Sequence, residues 1–309
     1  MRSLRFTLRF AVGSILFVAL FATASMAQNN RTFVSGAGLD SNPCSLTSPC
    51  RTFGQAISVT NAGGEVVVLT SAGYGPFAIN KAVTVEATAG VYAGITVTGS
   101  SDGIDINAGS TDIVILRGLT VNSEGSTGNG IVFNSGATLH IESCVVNGFA
   151  DNSGIAINSF GNVVVKSTIA RGNGNGILVD PTGTGTTATA DVAMDHLHLD
   201  GNSAGLVVSP TGSGATVTAA IKNSSASGST GTGMVAVGSG AALDIEGCLI
   251  ANDSVGVSAL TGGTMSISNC TISYCLTGYN NSGGTINTRG QNTNTSPANT
   301  GRLTALAGQ

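Results

Sequence analysis

The sequence describes an all-β solenoid, a right-handed parallel β-helix of about ten coils, covered at its N-terminal end by a short helix. Three observations lead there. The composition is rich in glycine and poor in charge, two columns of residues recur in one register roughly every 24 positions, and charged side chains alternate in sign down that register. Of 309 residues, 45 are glycine and 9% are charged, whereas globular chains carry about 7% glycine and about 25% charged residues. Collagen is excluded because there is no Gly-X-Y period and only 6 prolines occur. Disorder throughout conflicts with 41% hydrophobic residues gathered in short valine and isoleucine runs. A multi-span membrane protein conflicts with the lack, after residue 27, of any apolar run near the roughly 20 residues a spanning helix needs.

Residues 1–27 read as an export signal. Arg2, Arg5 and Arg9 give a basic start, Phe10 to Ala24 is mostly apolar, and Ser25-Met26-Ala27 offers small residues at a cleavage site. An uncleaved anchor helix is the alternative. Cleavage removes three of the 12 basic residues and leaves nine against 16 acidic ones, a formal charge of −7. That balance argues against a nucleic-acid partner, which needs clustered Lys and Arg, and against an anionic membrane surface. The expected product is secreted, periplasmic or on the cell surface, and monomeric. Export permits disulfides. Cys44 and Cys50, in a loop with Pro43 and Pro49, are the bridge candidate, and nothing near them completes a metal site.

Residues 28–64 are read as a cap. Arg51 to Asn61 follows Ser48-Pro49, a helix-start signal, and can turn Phe53, Ala56 and Ile57 to one side before Gly63-Gly64 stops it. An open β-helix end is an unpaired sheet edge and needs such a cover. Glu65 to Thr70 is then the first strand, and the coils run over 65–290.

The repeats carry the fold. One column runs Leu119, Cys144, Thr168, Leu197, Ser224, Cys248, Cys270, Gln291, with steps of 25, 24, 29, 27, 24, 22 and 21 residues. A second column is glycine throughout: Gly103, Gly130, Gly154, Gly176, Gly205, Gly233, Gly256 and Gly278. Apolar strands with two-residue alternation surround both columns. A single repeat cannot bury its apolar face, but stacked repeats share a continuous core. An antiparallel sandwich is the structural alternative, and it would not explain two columns in one register.

Two positions before the first column stand Arg117, Glu142, Lys166, Asp195, Lys222, Glu246, Ser268 and Arg289, preceded by Glu86 in an earlier, looser coil with Thr88 at the column position. The signs alternate with one neutral interruption. In a parallel stack such side chains lie about 4.8 Å apart, where opposite charges attract and like charges repel. The column itself points inward, so Cys144, Cys248 and Cys270 read as small core filler. Cys248 and Cys270 fall on successive coils, where a bridge is geometrically open, while Cys144 is too far away to join them. His140 is read on an inward column, as a core-edge or turn residue. The polar stretch 291–309 is read as a last coil and tail.

Gly38-Leu39-Asp40, Pro49-Cys50-Arg51-Thr52-Phe53, Ala56-Ile57, Gly64 and Gly73-Tyr74 resemble the N-terminal cap of secreted bacterial right-handed β-helix proteins of the pectate-lyase-like superfamily. The resemblance covers nearly all of residues 31–309. It implies the fold; for activity it implies only a range, from polysaccharide lyases, hydrolases, esterases and epimerases to adhesins. Hydrolases of the polygalacturonase type imply an Asn-Thr-Asp motif, paired aspartates, Gly-His-Gly and Arg-Ile-Lys. Here Ser101-Asp102-Gly103-Ile104-Asp105 is similar to the first, and the others are missing. Inverting hydrolysis needs two carboxylates about 6.5–9.5 Å apart, one tuned as an acid, and Asp102 and Asp105 have no evident helper.

The best cluster is Met194-Asp195-His196-Leu197-His198-Leu199-Asp200, loosely similar at Asp195-His196 to a Trp-Ile-Asp-His segment of pectate lyases but without the tryptophan. If Leu197 and Leu199 point inward, His196, His198 and Asp200 share the outer face. Asp195, His196, His198 and Lys166 are then candidates for acid–base work, and His196, His198 and Asp200 for a zinc-type metal. A plain polar strand explains the same residues. No cofactor is expected, although calcium or zinc stays open, as does a weak cation site at Asp180, Asp191 or Asp253. No nucleotide loop or nucleophile elbow is present. The expected function is a non-enzymatic module that binds a polysaccharide or cell-surface glycan, or serves a structural role there. A lyase or glycoside hydrolase acting on a uronate-type polymer is the alternative.

Overall fold

The computed structural model describes residues 29–182, 189–212 and 214–306; the export signal at 1–27 lies outside the described residues. Three parallel sheets wind into one solenoid, one with 12 strands (sheet 1) and two with ten each (sheets 2 and 3). One coil illustrates the plan. Thr138–Glu142 lies in sheet 1, Val145–Asn147 in sheet 2, Ser153–Ile157 in sheet 3, and Gly161–Lys166 returns to sheet 1. The alternation in sheet 1 turns Leu139 and Ile141 into the core, joined by Cys144, Val146, Phe149, Ile155 and Ile157, all at most 1% exposed. No described helix is long and apolar enough to cross a membrane.

The corner from sheet 1 to sheet 2 explains part of the repeat. Ser143, Ser167, His196, Asn223, Asn269 and Gln291 all sit there with φ between 49° and 57°, and Gly118 and Gly247 take the same place with φ of 67° and 60°. From Gly118 onward a left-handed residue turns the chain sharply in each coil, and small polar residues or glycine tolerate it best. The glycine column has a different cause. A Cβ on Gly130 would lie 2.4 Å from the Gly154 carbonyl oxygen, and one on Gly205 would lie 2.4 Å from that of Gly233. Stacked backbones approach there too closely for any side chain.

The cap differs in detail from the sequence reading. The helix is Phe53–Val59, shorter than 51–61, and starts at Thr52, whose Oγ1 accepts from Gln55 N at 3.2 Å. Asp40 fixes that start, accepting from Arg51 N and Thr52 N, each at 2.9 Å. Gly63-Gly64 does not end the helix; it lies inside the strand Thr60–Val68. The first strand is Asn29–Val34, which pairs with Thr60–Val68 ahead of Glu65–Thr70. Phe53 packs on Tyr74 and Phe77, with ring centroids 5.2 and 4.5 Å apart, so the helix seals the core it covers. Cys44 and Cys50 form a disulfide. The other four cysteines are buried free thiols, and burial pushes the Cys144 thiol up to about 11; Cys248 and Cys270 stack without a bridge.

Two register details need correction. Ser268 pairs with Gly290 across a bulge, so one extra residue enters the last coil. Gln291 therefore occupies the left-handed corner, and Asn292 takes the inward place, accepting from Cys270 N at 2.9 Å. His140 does not point inward. It lies between buried Leu139 and Ile141, and its Nδ1 stands 3.9 Å from Glu142 on the outer face. The last coil is completed by Thr293–Asn294, Ala298–Thr300 and Leu303–Ala305.

Candidate functional site

The outer face of sheet 1 carries the charged column. Strand pairing sets Glu86 against Arg117, Arg117 against Glu142, Glu142 against Lys166, Lys166 against Asp195, Asp195 against Lys222, and Lys222 against Glu246. The two halves of this column behave differently. Arg117 closes on both neighbours, with Nε 2.7 Å from Glu142 and Nη1 3.7 Å from Glu86. Lys166 and Lys222 form no ion pair among the described residues. Both instead line an open groove of about 360 Å³, together with Asp195, Asp244, Glu246 and Arg289. Arg289, displaced by the bulge, leaves the column and reaches Asp244 at 4.0 Å. Ser266 and Ser268 add hydroxyls to the groove wall.

Asp195 stays ionised. Desolvation would raise its pKa, but the hydrogen bond from Asn223 and the nearby His196 and Lys222 outweigh it, leaving the pKa below the ordinary carboxylate value. The Asn223 Nδ2 donor is 3.1 Å away. His196 Nδ1 stands 2.8 Å from Asp195 Oδ1, with the ring 64% exposed at the corner beside the groove. An ionised aspartate holding one ring nitrogen of an accessible histidine is an arrangement able to move a proton. The left-handed backbone at His196 belongs to the repeat and carries no special functional strain.

The remaining candidates do not converge on this pair. Leu197 and Leu199 are buried, so His198 and Asp200 do lie outside, but on sheet 2 beyond the corner. His198 Nδ1 meets Ser225 Oγ at 3.0 Å, and Ser227 Oγ donates to Asp200 at 2.8 Å. Among the described residues no three His, Cys, Asp or Glu side chains are placed to hold a metal ion. Asp180 accepts from Thr211 N and Oγ1 at 2.9 and 2.7 Å. Asp102 and Asp105 share a second open depression of about 400 Å³ with Ser100 and Ser101. Burial, then the Asp102 charge, raises the Asp105 pKa, against a bond from Asn134.

Sequence reasoning placed Lys166, Asp195 and Lys222 in the charge column and offered Lys166 with Asp195 for acid–base work, but read Lys222 only as a rung. It missed Asp244, Ser266 and Ser268 as groove residues. Their signal was available, because two-residue alternation back from Glu246 and Ser268 places Asp244 and Ser266 on the same outer face.

The fold defines the class: this is a right-handed parallel β-helix built from three parallel sheets. The chain is similar to the crystal structure of pectate lyase Pel9A, with a TM-score of 0.53 and 16% identity over 90% of this chain and 80% of that one. It is also similar to XylC in complex with xylose, with a TM-score of 0.57 and 10% identity over 85% and 69% of the two chains. No protein-family model matches the sequence, and no curated protein matches it significantly.

Proposed function

We propose that this chain is an exported β-helix module that binds an anionic extracellular glycan along the groove of sheet 1 without cleaving it. The observation that carries the reading is the pair of uncommitted ammonium groups of Lys166 and Lys222, two rungs or about 10 Å apart along the stack, inside a groove that also holds carboxylate and hydroxyl partners. Cations at that separation can meet successive acidic sugars, while Asp195, Glu246 and the serines accept from or donate to sugar hydroxyls. The Cys44–Cys50 disulfide agrees with an oxidising compartment. Neighbours named for a polysaccharide lyase and for a xylose complex agree with a sugar ligand.

A second reading, a lyase or hydrolase of uronate polymers, is favoured by the Asp195–His196 contact beside the groove. One experiment separates them. Wild type, Lys222→Ala and His196→Ala are tested for binding and turnover on polygalacturonate, alginate and a neutral xylan. Binding of an acidic polymer that weakens about tenfold in Lys222→Ala, with no turnover, supports the module. Turnover abolished by His196→Ala replaces it with the enzyme. Absence of binding and turnover together overturns both.

A further inference from the structure

A ladder of side-chain amides runs inside the solenoid and obeys a fixed rule. Asn173 Oδ1 accepts from Phe149 N at 3.1 Å, and its Nδ2 donates to Val146 O at 3.3 Å. Asn202 Oδ1 accepts from Asn173 N at 3.0 Å, and its Nδ2 donates to Ala170 O at 3.0 Å. Asn292, at the other corner, accepts from Cys270 N at 2.9 Å and donates to Ile267 O at 3.1 Å. In each case the amide oxygen takes a backbone N–H of the preceding coil. The amide nitrogen gives to the carbonyl three residues before that N–H.

Asp253 stands in the same column as Asn173 and Asn202. Its Oδ1 accepts from Ser229 N at 2.6 Å. By the rule, Oδ2 belongs against the carbonyl of Ala226. A carboxylate oxygen and a carbonyl oxygen are both acceptors, and Oδ2 is indeed buried without a partner, in a side chain 2% exposed. An asparagine would supply the missing donor. So would a proton.

We infer that Asp253 serves as a proton-dependent latch: with a solvent proton on Oδ2 it donates to the Ala226 carbonyl and joins its coil to the one before, and loss of that proton loosens the junction. The surroundings suit the neutral acid. The titratable groups facing it are Asp200, two coils earlier, and the Cys275 thiol in the following coil, and no base is among them. The Ser229 hydroxyl beside it is likewise buried and unpartnered. Burial first, then the Asp200 charge, pushes the Asp253 pKa up from 3.8 to about 6, against the bond from Ser229 N and the pull of the nearby Ser229 hydroxyl dipole. A folded-state pKa above the unfolded one gives stability that is complete below about pH 4 and lost as pH rises through about 6. The latch therefore holds in acidic surroundings and weakens in alkaline ones.

The test uses the full chain with Asp253→Asn, which replaces the titrating donor by a permanent one. Thermal unfolding of both proteins is followed from about pH 5 to about pH 8, where linkage gives roughly a tenfold change in the relative unfolding constant. The variant is expected to melt about 3–5 °C higher at the alkaline end, with the gap closing toward the acidic end. Infrared difference spectra of wild type between the two pH values should show a buried carboxylic acid becoming a carboxylate, absent in the variant. A gap that does not depend on pH, or wild-type spectra without that band, overturns the latch. Calcium that raises wild-type melting at alkaline pH but leaves the variant unmoved also overturns it, by making Oδ2 a cation ligand instead.

Discussion

Replacing Gly205 by alanine should be costly although its backbone needs no special dihedral. The new Cβ would stand 2.4 Å from the Gly233 carbonyl oxygen and 3.3 Å from the Ala226 Cβ. Carbon–oxygen contacts between strands settle near about 3.3 Å, so the coils must part by roughly 0.9 Å at that point. The obstacle is backbone, held by the flanking pairs Leu206–Met234 and Val207–Val235, and cannot swing aside as a side chain does. Overpacking of this kind costs about 1–3 kcal/mol, and the stretched ladder bonds bring the estimate to the upper end. The reduced freedom of the unfolded chain returns about 0.5–1 kcal/mol. A net loss near 2 kcal/mol remains, or roughly 4–8 °C in melting temperature for a chain of this size. Gly54 is the control. It lies in the helix Phe53–Val59 with nothing within 4 Å of its added Cβ, so alanine there should stabilise by up to about 1 kcal/mol. Both variants are read by circular dichroism on heating, with hydrogen exchange at Leu206 and Met234 to localise the damage. A Gly205→Ala protein as stable as wild type would refute the close-approach account of the glycine column.

Three further outcomes follow from the same geometry. Asn202→Ala strips partners from the Asn173 N–H and the Ala170 carbonyl, both in a buried ladder, and should cost about 2–6 kcal/mol by urea denaturation at about 1–3 kcal/mol per orphaned group; a loss below that range would show that water replaces the amide. Reducing the Cys44–Cys50 bridge should destabilise the cap by about 2 kcal/mol through loop entropy, visible as earlier exchange of the amides in Asn29–Val34, and an unchanged exchange rate would make the bridge dispensable. Binding of an acidic polymer through Lys166 and Lys222 should fall steeply with added salt, because exposed cations are screened within about 8 Å at physiological ionic strength; salt-independent binding would move the ligand off the groove.

What the sequence makes legible here is the part dictated by stacking. Identical coils force identical constraints at each level, so glycines recur where backbones touch and small polar residues recur where the chain turns left-handed. Gly205 and Asn223 can thus be placed without coordinates. The ends are harder to read because the repetition stops there. Asn29–Val34 is a strand because Thr60–Val68 offers it an edge, and nothing in its own pattern announces that partner. The bulge at Ser268 and Gly290 shifts Arg289 from rung to groove, a change of one residue that column counting misses. His140 was within reach, since alternation from Glu142 already turns it outward. At Asp253 the asparagine rule becomes visible only once the carbonyl of the coil before is placed opposite Oδ2.

The distinction between ladder and site rests on the chemistry of two cations. Arg117 presents a planar fork whose donors diverge, so one side chain serves the carboxylates above and below it. Such a rung is saturated and discourages register slip, although each exposed pair is worth at most about 1 kcal/mol. A lysine in the same place offers one ammonium on a flexible stem, strongly hydrated and free to turn outward. Lys166 and Lys222 face acidic neighbours on both sides in register yet close on none of them among the described residues. The alternation of sign then does two jobs along one column. Where arginine supplies the positive rung it is spent on the fold, and where lysine supplies it the charge stays available to a ligand. Exchanging the two therefore separates the roles: Lys222→Arg should tighten the coil at Asp195 and Glu246 while weakening capture of an acidic glycan. If instead it strengthened binding, the groove would be reading carboxylates bidentately, and the ligand would be held by geometry as well as by charge.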